Sequence, residues 1–128
     1  MYEPIRTRSL HSMADDAESP HRSREEELDI QLAGHLSALL AVTDELGLDA
    51  AAERIADEVA RLRGAPPARH AGLSGAAPAA LHHRAHALAG RALVVAASRA
   101  DTAAAILSAE RMDAHTAALT ELRLVGAH

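Results

Sequence analysis

Tyr2 is the only aromatic residue of this chain, which contains neither Phe nor Trp. A core without rings must be assembled from leucine, valine, isoleucine, methionine and alanine. Alanine and leucine dominate here, and both are strong helix formers, whereas strands favour aromatic and β-branched side chains. No stretch alternates apolar and polar residues with a period of two, and no β-branched cluster is present. The expected fold is therefore all-α. A length of 128 residues is one domain's worth, with a modest core.

Apolar spacing resolves the chain into helices. Residues 1–23 hold no sustained period and read as an N-terminal tail or docking arm. Its spaced apolar and basic residues, Tyr2, Ile5, Arg6, Arg8, Leu10 and Met13, are the candidate interaction residues. The remainder, 24–128, reads as a helical bundle domain. "SREE" offers Ser23 as an N-cap with Glu26 three positions on, a capping box. Leu28, Leu32, His35, Leu39, Val42 and Leu46 then form one seam, widened by Leu36 and Leu40, and Gly47 ends the helix. Asp49 is the expected cap of a second helix with the stripe Leu48, Ala52, Ile55, Val59 and Leu62. A flexible loop follows at about 64–78.

Pro78 suits the first turn of a third helix with the stripe Leu81, Ala85, Leu88, Ala92 and Val95. No Pro or Gly interrupts residues 91–125, so the last two helices could fuse into one. Continuing the stripe would, however, bring Arg99, Glu110, Asp113 and Glu121 onto the apolar side. A break near "SRAD" is expected instead, with Ser98 as cap. A fourth helix would then bury Ala105, Ala109, Met112, Leu119 and Leu122. The sum is an antiparallel bundle of about four helices, built as two hairpins.

Charge narrows the functions. The first 64 residues hold fourteen acids against seven arginines, and the second half four against six. A nucleic-acid surface needs clustered cations, and a membrane-surface helix needs a basic amphipathic face; neither is in view. No apolar run approaches the roughly 18 residues of a membrane span. The opening "MYEPIRTRSLHSMADD" has no apolar leader core, and there is no cysteine, so a cytoplasmic setting is expected. All thirteen basic residues are arginine, which with the alanine excess resembles proteins of high-GC bacteria.

"LHHRAHALAG" is the one stretch that looks like chemistry. On a helix His82 and His86 lie one turn apart on the same side, as two imidazole ligands of a metal would, and His83 points elsewhere. A stable metal site needs more ligands, and His35 and His115 are the other candidates; the expectation is that neither reaches the pair. There is no nucleophile elbow and no phosphate loop. The Glu-x-x-His spacing of di-iron bundles occurs only at Glu18–His21, outside the helices. No cofactor, catalytic residue or small-molecule substrate is implied. The expected function is a non-enzymatic helical interaction or regulatory module, a homo-oligomer or partnered by another protein. A histidine-based metal-binding bundle and an enzyme of unrecognised type are the alternatives.

Overall fold

The computed structural model describes the backbone of residues 3–70 and 75–126, and the side chains of residues 23–70 and 75–126. The described residues form four helices, α1 (Glu3–Glu45), α2 (Asp49–Arg63), α3 (Pro78–Arg99) and α4 (Thr102–Gly126). Among the described residues there is no strand.

The leucine stripes position the first three helices. Leu32, Leu36, Leu39, Leu40 and Val42 of α1 are buried against Ala52, Ile55 and Val59 of α2 and Leu81, Ala85, Leu88, Ala92 and Val95 of α3. α1 packs on both α2 and α3, α3 packs on α4, and α2 touches α4 sparingly. The four helices thus form a ring with one loose seam. Ion pairs span that seam: Arg54 to Glu110 at 2.6 Å and Arg61 to Asp101 at 2.8 Å. These pairs run in opposite order along α2 and α4, so the two helices are antiparallel.

Short links make α1–α2 and α3–α4 antiparallel hairpins. It follows that α2 and α3 are parallel and sit on opposite corners of the ring. The chain must return the full length of α2, about 22 Å, before α3 can start, and this is why the segment 64–77 is long. That segment is pinned part-way. Arg69 donates from Nε and Nη2 to the two Asp44 oxygens at 3.0 and 2.8 Å, and from Nη1 to Glu53 at 3.0 Å. The His70 backbone N–H adds a 3.0 Å bond to Asp44, whose side chain is only 5% exposed. The Arg69 hydrogen bonds outweigh burial and hold the Asp44 carboxyl below the usual range.

Three expected helix ends move. α1 passes straight through Ser23, which is therefore not an N-cap. A serine costs only about 0.5 kcal/mol inside a helix, so a good capping sequence does not by itself start one. Leu48 precedes α2 without a side-chain cap, leaving Asp49 in the first turn, where its charge still favours the helix dipole. The break after α3 falls where phase requires it, but Asp101 rather than Ser98 is the cap: its Oδ1 accepts from the Ala104 N–H at 3.2 Å. Ser98 instead donates back to the Val94 carbonyl at 3.0 Å.

Both hairpins turn through the same device. At Gly47 (φ 74°) and at Ala100 (φ 59°) one residue adopts the left-handed conformation. The amides of Leu48 and Asp101 then reach back to the carbonyls of Thr43 and Ala96 at 3.2 and 2.8 Å. Alanine is strained there and glycine is not. Ala100→Gly is expected to raise stability by about 1 kcal/mol, read as a higher urea midpoint with an unchanged slope; a lower midpoint would mean that the turn is not strained.

Candidate functional site

The inward face of α4 differs from the one its apolar residues suggest. Ala104, Leu107, Ser108 and His115 are buried and Arg111 is half-buried. Ala105, Ala109, Met112 and Leu119 are only half-buried flanking residues, and Leu122 is exposed. The helix is rotated by about one residue, some 100°, from the expected stripe. Alanines stand on every side of α4, so apolar spacing defines no unique face. The reset at Ala100 sets the phase instead, and it turns Ser108, Arg111 and His115 inward.

His115, fully buried, meets His82 of α3 there. Their Nδ1 atoms are 2.9 Å apart and the ring centroids 5.1 Å apart, tilted by 51°. This corrects the expectation that His82 would stay unmet. On its other edge, His115 Nε2 lies 3.4 Å from Arg111 Nη2. A guanidinium can only donate, so Nε2 of His115 must be the bare, accepting nitrogen. His115 is then the Nδ1–H tautomer, and it donates to Nδ1 of His82. The proton assignment follows from the network.

Burial, then Arg111, then His82 and His86 push the His115 imidazole down to about 4. Burial and Arg111 lower His82 as well. Arg111 is itself pushed down by burial and by Arg54, with Glu110 opposing. Arg111 Nε and Ser108 Oγ are buried without a hydrogen-bond partner, a cost of about 1–3 kcal/mol for each such group.

The other candidate ligands do not converge. His35 is half-buried at the edge of the α1 seam. Arg99 of α3 pairs with Asp29 of α1 at 3.1 Å, and the two helices are antiparallel. His35 therefore lies near the height of Leu93, about 16 Å along the bundle from His82. His86 and the exposed His83 line an open cleft of about 510 Å³ with Thr116, Thr120 and Arg123, and no carboxylate lines it. Among the described residues no group of three or more His, Cys, Asp or Glu is placed to hold a metal ion. His82 and His115 are hydrogen-bond partners. The side chains of Tyr2, Ile5, Arg6, Arg8, Leu10 and Met13 lie outside the described residues.

Sequence spacing carried a usable signal for His115. Ser108, Arg111 and His115 stand at steps of three and four, a polar stripe at helical period, but one easily taken for the solvent face. Set against known proteins, the chain matches no family model, no curated protein and no solved structure. No described helix is long and apolar enough to cross a membrane.

Stability must follow the His115 proton. Unfolded, the imidazole binds a proton below about pH 6.5, while folded it resists one until about 4. The resulting stability is complete above pH 6.5 and is lost as pH falls toward 4. The protein is expected to be about 2 kcal/mol less stable at pH 5 than at pH 7.5 by urea unfolding. Asp44 and Asp101 add their loss only lower, in the carboxylate range. Burial pushes Asp101 up, but the Arg61 and Ala104 hydrogen bonds and nearby Arg99 outweigh it. Equal stability at pH 7.5 and 5 would contradict the buried neutral pair.

Proposed function

We propose that this chain is a non-enzymatic helical interaction or regulatory module that acts as a homodimer through the outer face of the α3–α4 hairpin. The observation that carries the proposal is the pair Val94 and Ile106, 66% and 54% exposed, within two turns of the hairpin connection. Large aliphatic side chains left in water on neighbouring helices are association points when the ground between them is smooth. Here the ground is smooth: a shallow groove of about 390 Å³ runs beside Ile106, lined largely by alanines, Ala97, Ala105 and Ala109 among them.

The charges on the same face select a second copy of this chain as the occupant. On α3, Arg91 lies one turn from Val94; on α4, Asp113 lies two turns from Ile106, and both are exposed. A second copy carries the same apolar pair and the same two opposite charges, so the face can complement itself. The thin, alanine-rich core gives such association a stability role as well as a recognition role. The composition, all-arginine and alanine-rich, supports a bacterial cytoplasmic setting.

Sedimentation equilibrium across a micromolar concentration series tests the dimer. The wild-type chain is expected to dimerise, Ile106→Glu to weaken the dimer at least tenfold, and Arg91→Glu to weaken it less. Adding Asp113→Arg to Arg91→Glu should recover most of that loss. A wild-type monomer at all concentrations, or a dimer indifferent to Ile106→Glu, would overturn the proposal.

A further inference from the structure

The bridge between His82 and His115 has room for one proton and no more. In the neutral pair, His115 Nδ1–H points at the His82 Nδ1 lone pair, and the His115 Nε2 lone pair points at Arg111. Adding a proton to His82 sets Nδ1–H against Nδ1–H. If His115 answers by changing tautomer, its new Nε2–H faces the Arg111 guanidinium. Adding the proton to His115 has the same result. Each way of accommodating a second proton leaves two donors opposed in a buried place.

Among the described residues, no carboxylate is hydrogen-bonded to either imidazole. From α3, His86 joins His82; from α4, Arg111 faces the pair, and the nearby Glu110 is engaged by Arg54 of α2. α1 packs on α3 and not on α4; at this end it carries Asp44, held by Arg69 and His70 of the crossing segment, and the half-buried Glu45, while α2 begins with the exposed Asp49.

Burial along α4 shows what the bridge holds. Ala104, Leu107 and Ser108 are buried in the first half, which is also tied to α2 through Asp101 and Glu110. His115 is the last fully buried residue among those described. Beyond it only Ala118 and Leu119 are half-buried, and Leu122, Leu124 and Val125 are exposed. The end of α4 therefore has little besides the bridge to keep it on α3.

We propose that the His82–His115 bridge is an acid-released latch: one added proton detaches residues 112–126 of α4 from α3 while the rest of the bundle stays folded. Release would uncover the inner sides of Met112 and Leu119 and widen the cleft beside His86, presenting an apolar helix end in acid and hiding it at neutral pH.

Amide hydrogen exchange on the full chain, in buffer with EDTA and corrected for intrinsic rates, tests the latch. Between pH 7.5 and 5.0, protection of amides 112–124 is expected to fall at least tenfold more than that of 104–109 and of α2. In H82Q/H115Q, which cannot take the proton, residues 112–124 should change less than threefold. Should that variant not fold, imidazole carbon shifts of the wild-type chain decide: those of His82 and His115 must move over the same pH span as the loss of protection. Undiminished protection at pH 5.0, equal loss throughout the bundle, an unaltered response in the variant, or imidazole shifts of the pair that do not follow the loss would each overturn the proposal.

Discussion

A helix that turns His115 toward its neighbours can be packed only if something answers it, and the answer is His82. Burying an imidazole without a partner costs several kcal/mol; burying two that share one proton removes most of that cost. Arg111 then selects the tautomer, because it can donate and not accept. Three side chains from two helices thus define one protonation state. The position of α4 on α3, and the cleft beside it, depend on that state being kept.

The rest of the bundle is held by plainer means. Leucines of α1 interlock with α2 and α3, and alanines let the backbones come close. The loose α2–α4 seam is crossed by arginine–carboxylate pairs in place of apolar contacts. Exposed pairs of this kind contribute about 0–1 kcal/mol each, so they orient the seam more than they stabilise it. The Arg69–Asp44 clamp does for the crossing segment what packing cannot. It ties a stretch of Gly, Pro and Ala to the bundle end through a nearly buried carboxylate.

How far the sequence could be read follows from where leucine stands. In α1, α2 and α3 the large aliphatics recur at three and four, and their stripes are the buried ones. The break at residues 100–101 was legible from charge phase, since no single face could hold both Val95 and Glu110. In α4 alanine lies on both sides and carries too little apolar area to choose between them, so the expected face was off by one position. Ser23 misled for a related reason: its capping signal is worth about 1 kcal/mol at a helix start but does not end a helix arriving from upstream. The histidines were half legible. His82 was singled out, but beside His86 at i, i+4, whereas its partner stands 33 residues away and needed the phase of α4.

Imidazole nitrogen spectroscopy at neutral pH addresses the central claim most directly. Long-range proton–nitrogen correlation should show His115 as the Nδ1–H tautomer, with a coupling across the hydrogen bond to Nδ1 of His82. Finding His115 as the Nε2–H tautomer, or charged at pH 7, would contradict the one-proton bridge and the placement of α4 that depends on it.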